Sequence, residues 1–195
     1  MSSLATSPGP QPLGHELFGS GPTRVMIMND WLCDTSTWDA ARMFLDGARF
    51  TFAFADLRGY GRSRECSGTF RLEEAAADLL ALADALTWPR FAVIGHSMSA
   101  LIALHLAQHH AERVERVVAL TPPPPMGFGA DDASLAAARA LALADDATRM
   151  RAFEQQLGGR LSAGWTRYKV ARWRTSANSE AAAAYVTLFA REGLP

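Results

Sequence analysis

Ser97 has the surroundings of a nucleophile. It lies in the stretch Val93-Ile94-Gly95-His96-Ser97-Met98-Ser99-Ala100. The apolar run from Phe91 to Ile94 reads as a short buried strand that stops at Gly95. Leu101, Leu104 and Ala107 then repeat at helical spacing, so the serine falls on a sharp strand-to-helix turn. Such a turn lifts the hydroxyl above the sheet edge and aims the first N–H groups of the helix at whatever the serine attacks. Strand and helix nearly collide there, so the flanking residues must be small. Gly95 meets that need, and Ser99 stands where the G-x-S-x-G pattern has its second glycine. The plain alternative is a small-residue turn with an ordinary helix-capping serine, and the pentapeptide alone does not separate the two.

The rest of the chain sets the frame for that turn. It has 195 residues, 49% hydrophobic and 20% charged, enough for one sizeable core or a core with a small lobe. A net charge of −1 gives no electrostatic ground for nucleic acid or an anionic membrane. No apolar run approaches the length of a membrane span, and the N-terminus lacks a signal-peptide pattern. Cys33 and Cys66 lie in different loops and outline no disulfide framework, which fits a cytoplasmic location. Residues 1–12 are rich in Ser, Pro and Gly and read as a disordered tail.

Short apolar runs at 15–18, 25–28, 50–55, 91–94 and 114–120 read as strands. Helical patterns at 38–45, 72–86 and 98–110 alternate with them, which predicts an α/β fold with a mostly parallel sheet flanked by helices. Four prolines, Pro122 to Pro125, close the last strand. Beyond them the chain is alanine-rich, with helices expected at 131–146, 148–157, 162–176 and 179–192. This divides it into a core over 13–125 and an all-α segment over 126–195.

Taken together, these segments resemble the α/β-hydrolase family with a helical cap. Asn29-Asp30-Trp31-Leu32-Cys33, followed four residues later by Trp38, lines up with the family's H-G-x-x-G-x(4)-W loop. Asp56-Leu57-Arg58-Gly59-Tyr60-Gly61-Arg62-Ser63 is close to its D-x-R-G-x-G-x-S. The turn at Ser97 is the third motif, and order and spacing agree across all three. The resemblance implies a serine hydrolase acting on an ester or related acyl substrate. Ser97 would be the nucleophile, and the backbone N–H groups of Met98 and Trp31 would hold the oxyanion. It also makes Asn29, Asp30, His96, Trp165 and Arg172 candidate substrate-binding residues. A serine at the turn, rather than an aspartate, sets the chain apart from the epoxide hydrolase and haloalkane dehalogenase branches. Ser99 in place of glycine resembles the branch that contains the strigolactone receptors and related bacterial sensors, so a non-catalytic ligand-binding module is the rival reading.

The family's remaining parts lie further along its chain, in the order Ser, Asp or Glu, then His. Here the sequence ends at Gly193-Leu194-Pro195, where the strand after the cap would begin, and no histidine follows His110. His105 is about 12 Å along the helix from Ser97 at 1.5 Å per residue. The resemblance therefore implies that the general base and its acid are not in this chain and that the last strands are absent. A truncated hydrolase, one half of a split hydrolase and a degenerate relative all fit. Truncation accounts best for a chain that keeps a coherent core. Strand 114–120 would then be an exposed apolar edge, open to pairing with a second chain or a dimer mate.

Other features carry less. Trp165, Tyr168 and Trp173 fall within roughly 140° of one helix face, with Lys169 and Arg172 in the same arc. A packed aromatic face is the plain reading; a cap surface on which Lys169 or Arg172 meets a substrate carboxylate is the sharper one. Arg58, Arg62 and Arg64 read as surface-loop residues. No metal spacing, P-loop or G-x-G-x-x-G is present, so no metal and no cofactor are expected.

Overall fold

The structure is a computed structural model and describes residues 12–194, so all of the tail expected at 1–12 except Pro12 lies outside the described residues. Five strands form one sheet: β1 (His15–Phe18), β2 (Thr23–Met28), β3 (Phe50–Ala55), β4 (Phe91–His96) and β5 (Val114–Leu120), in the order β1-β3-β2-β4-β5. β1 runs antiparallel to β3, and the other pairs are parallel. Seven helices accompany it among the described residues. α1 (Asp39–Arg42), α2 (Leu72–Ala85) and α3 (Met98–His109) alternate with the strands. α4 (Asp132–Leu143), α5 (Asp146–Leu157), α6 (Ala163–Ser176) and α7 (Ser179–Ala190) follow β5.

The continuous apolar runs have a direct cause. Side chains alternate across a strand, and in β2 and β3 both faces are covered. Met26, Met28, Ala53 and Ala55 join one buried cluster, while Val25, Ile27, Phe52 and Phe54 join another on the opposite face. The first cluster also takes in Trp173 from α6 and Tyr185 and Leu188 from α7. The helices after β5 thus share the core of the sheet instead of closing one of their own. Each begins on a side-chain cap: Asp131, Asp145, Ser162 and Asn178 accept a backbone N–H two or three residues on.

Strand order places the functional end of the sheet. From β2 the chain moves to β3 on one side; from β3 it crosses over β2 to reach β4, and β5 then extends the other side. The order reverses between β2 and β4, and in open α/β sheets ligands bind beyond the carboxyl ends of the strands at such a point. Two segments leave the sheet there: Asn29 to Asp34 after β2, and Ser97 after β4.

Two sequence expectations are corrected. The helix at 38–45 is a 3-10 turn over Thr35–Trp38 followed by the single-turn α1. Phe44 is 82% exposed, because a one-turn helix cannot carry a periodic apolar face. Arg58 is not a surface residue: its side chain is 1% exposed and forks onto the fully buried Asp78 of α2, with Nε–Oδ2 2.7 Å and Nη2–Oδ1 2.6 Å. Its remaining Nη1 donates to the Ser67 carbonyl.

β5 is the last strand of the sheet on its side, and Val118 and Leu120 on it are exposed. No helix among the described residues is long and apolar enough to cross a membrane.

Candidate active site

Ser97 has φ +54° and ψ −121°, a backbone conformation that L-residues rarely adopt. β4 and α3 hold it on either side. Its N–H donates to the Leu120 carbonyl at 2.9 Å, and its carbonyl accepts from Ala100 N–H at 3.0 Å. Gly95 permits the approach: a Cβ there would overlap the Ser99 carbonyl oxygen and sit 2.6 Å from Ala100 Cα. Ser99 is fully buried. Its hydroxyl accepts from His96 N–H at 2.9 Å and donates to the His96 carbonyl at 3.1 Å. The side chain that replaces the usual glycine therefore ties the turn together, a role the sequence showed only as a departure.

Met98 opens α3, so its N–H is among the four that have no acceptor within the helix. Trp31 is set by the loop after β2. Asp30 Oδ1 accepts from Leu32 N–H at 2.7 Å, closing a tight turn around Trp31. The Trp31 carbonyl accepts from the buried Tyr60 hydroxyl at 2.8 Å, and its indole N–H donates to the Ala182 carbonyl at 2.7 Å. The Trp31 ring lies against Trp173 and Phe189. Tyr60 was not singled out in the sequence; a tyrosine in a glycine-rich loop carries no signal of this contact.

The candidate binding residues divide. Asn29 is fully buried and held by backbone: its Oδ1 accepts from Leu57 N–H and its Nδ2 donates to the Asp30 carbonyl, both at 2.8 Å. Arg172 donates to Asp34 Oδ1 at 2.8 Å. Burial opposes the Asp34 charge, but bonds from Ser36 and the nearby Arg172 hold its carboxyl below the ordinary range. Trp165 is partly exposed and meets Phe153 edge-on, whereas Tyr168 faces solvent and Trp173 is buried, so the expected aromatic face is split. His96 is about one-third exposed; its ring stands edge-on to Trp38, and its Nδ1 is 3.6 Å from Asp30 Oδ2.

That same Asp30 oxygen faces Lys169 of α6 at 3.4 Å. Lys169 also lies 3.1 Å from Cys33 Sγ. Burial works against the Lys169 charge, but Asp30 and Cys33 outweigh it and hold the ammonium above its usual range. Burial, with Asp30 beside it, pushes the Cys33 thiol up. The loop after β2 and the helix after β5 therefore meet through Asp30–Lys169 and Asp34–Arg172.

No histidine joins the Ser97 hydroxyl by a hydrogen bond among the described residues. His105 is buried against His109, ring centroids 4.4 Å apart, in a separate cavity of about 350 Å³ with Glu73 and Glu192. No group of three or more potential metal ligands converges among the described residues. The arrangement offers a partly buried serine on a strained turn at the start of α3 and, on the loop after β2, a carboxylate that faces Lys169.

Comparison with known proteins agrees with this fold. A family described as alpha/beta hydrolase fold matches residues 37–163. The chain is 32% identical over 110 residues to the pimeloyl-[acyl-carrier protein] methyl ester esterase of Salmonella heidelberg strain SL476, and to that of Salmonella agona strain SL483. Each match covers 56% of this chain and 40% of the relative, so the chain matches well under half of their length. Among solved structures, a bromoperoxidase from Bacillus anthracis superimposes with a TM-score of 0.78 at 19% identity, over 92% of this chain and 70% of that one. The enol-lactonase from Burkholderia xenovorans LB400 gives 0.73 at 21%, over 91% and 69%.

Proposed function

Because the chain belongs to the alpha/beta hydrolase family, we propose that it works as a serine hydrolase on a small-molecule ester or related acyl substrate, with Ser97 as nucleophile. The observation that carries this reading is the Ser97 backbone itself, kept at φ +54° between β4 and α3. Strain of this kind costs on the order of 1–3 kcal/mol and persists where the surroundings impose it, commonly at active sites. Ser97 attacks the carbonyl carbon, and the Met98 and Trp31 N–H groups receive the developing oxyanion, each such donor lowering the barrier by about 3–4 kcal/mol. The helices of 126–195 act as a cap, with His96 and Trp165 at the substrate. The relatives' names refer to methyl ester and enol-lactone chemistry, which supports acyl–oxygen cleavage as the class.

The proton acceptor for Ser97 and the acid that orients it come, in this reading, from polypeptide outside residues 12–194. The exposed edge of β5, with Val118 and Leu120 open, is where further strands pair, from a continuation of the chain or from a second chain. Ser99, where the family pattern has glycine, also favours a second reading, a ligand-binding module that does not turn over.

Hydrolysis of p-nitrophenyl acetate with imidazole supplied as an external base separates the two. A folded sample should show an imidazole-dependent rate that exceeds that of Ser97→Ala at every imidazole concentration. Equal rates for the two proteins would overturn the hydrolase reading, and saturable binding of an ester without turnover would then favour the binding module.

A further inference from the structure

Granting Ser97 as the nucleophile, on which this role depends, we propose that Lys169 is a positioning residue that neutralises Asp30 and so keeps the oxyanion site beside Trp31 usable. Asp30 has two effects that conflict. Its Oδ1 shapes the turn that presents the Trp31 N–H, through Leu32 N–H at 2.7 Å. Its negative charge, at 9% side-chain exposure, stands one peptide away from where an oxyanion develops. In a partly buried site such a charge is weakly screened and opposes the transition state.

The other oxygen of Asp30 meets Lys169 Nζ at 3.4 Å and His96 Nδ1 at 3.6 Å. Neither contact is tight, so the arrangement is better suited to cancelling charge than to clamping. Of the cations on that face of α6, Arg172 is taken by Asp34 at 2.8 Å, whereas Lys169 faces Asp30. Lys169 belongs to α6, whereas Asp30 belongs to the loop after β2. Charge compensation at the reacting centre thus depends on α6 being docked. With Lys169 beside it, Asp30 serves the turn as a scaffold without opposing the reaction.

The test is the rate at which a fluorophosphonate probe phosphonylates Ser97, with imidazole present, read by intact mass in four proteins whose folding is checked by melting. Lys169→Met should slow the maximal labelling rate roughly 10- to 100-fold, less than or comparable to loss of an oxyanion donor, while half-saturation by the probe changes little. Lys169→Arg, which keeps the charge, should retain most of the rate. The informative protein is Asp30→Asn combined with Lys169→Met. It should label faster than Lys169→Met alone, because the amide still accepts from Leu32 N–H and carries no charge. A double variant as slow as Lys169→Met, or slower, would show that Lys169 acts only as a structural contact and would overturn the proposal. Wild-type rates in Lys169→Met would overturn it too, with the reading of Ser97 left standing. Wild-type protein that is folded but unlabelled at Ser97 would defeat that reading, and the role of Lys169 with it.

Discussion

Asp78→Ala should lower the stability of the protein by about 3–5 kcal/mol, the usual result of breaking a buried ion pair by removing one partner. At about 2–4 °C per kcal/mol for a chain of this size, the melting temperature should fall by roughly 6–20 °C. The reason is geometric. Arg58 and Asp78 form a forked pair with both N···O distances under 2.8 Å, and both side chains are almost completely buried. The alanine leaves the Arg58 guanidinium without its nearest carboxylate in a site water does not reach, with Glu74 3.9 Å away. Replacing both members at once, Arg58→Met with Asp78→Leu, should cost less, because the two fully buried charges go together and only the partly exposed Glu74 loses its Arg58 contact. Chemical denaturation of the three proteins measures this directly. A loss below about 1 kcal/mol for Asp78→Ala would mean that water reaches the guanidinium.

Gly95→Ala should sharply lower the reactivity of Ser97 while leaving the serine itself in place. The added Cβ would meet the Ser99 carbonyl oxygen and come within 2.6 Å of Ala100 Cα, both of them backbone. No side-chain rotation relieves that contact, so β4 and α3 must separate at the turn. A shift of about 1 Å at a reacting group costs on the order of 10²-fold in rate. Overpacking at such a site lowers stability by about 1–3 kcal/mol. We expect phosphonylation of Ser97 to fall about 100-fold in a protein that is still folded. A labelling rate within a factor of two of wild type would mean that the strand–helix approach is not what sets the serine.

Most of the fold could be read from the chain, for identifiable reasons. β2 and β3 are covered on both faces, so their residues form unbroken apolar runs, and the turn residues around them are Gly, Pro and Asp. The helices after β5 start on Asp131, Asp145, Ser162 and Asn178, whose side chains announce a helix start. The stretch around α1 was misread because an apolar period over eight residues outlasted a helix of one turn, leaving Phe44 in solvent. Arg58 was misread because α2 offers Glu73, Glu74 and Asp78, and sequence spacing does not say which acid a loop arginine will reach.

The site divides along the same line. The turn at Ser97 is a local feature, encoded by one glycine and a strand-to-helix change of period, and the sequence located it. What surrounds it is long-range. Asp30 with Lys169 spans 139 residues, and Trp31 with Ala182 spans 151. Those pairings exist only because α6 and α7 return to the loop after β2. Asn29 and Arg172 have the polarity of substrate-binding residues, yet their partners lie within the chain, at Leu57 and Asp34. Polarity in a motif position does not reveal whether a side chain serves a ligand or the backbone beside it.

The most direct test of Ser97 as nucleophile is the site at which a fluorophosphonate becomes attached. Wild-type protein, shown to be folded by its melting transition, would be treated with the probe with and without imidazole and then mapped by peptide mass spectrometry. The account predicts slow attachment at Ser97 alone, faster with imidazole, and none in Ser97→Ala. A folded wild-type protein with no label on Ser97, or a label that survives in Ser97→Ala, would contradict it.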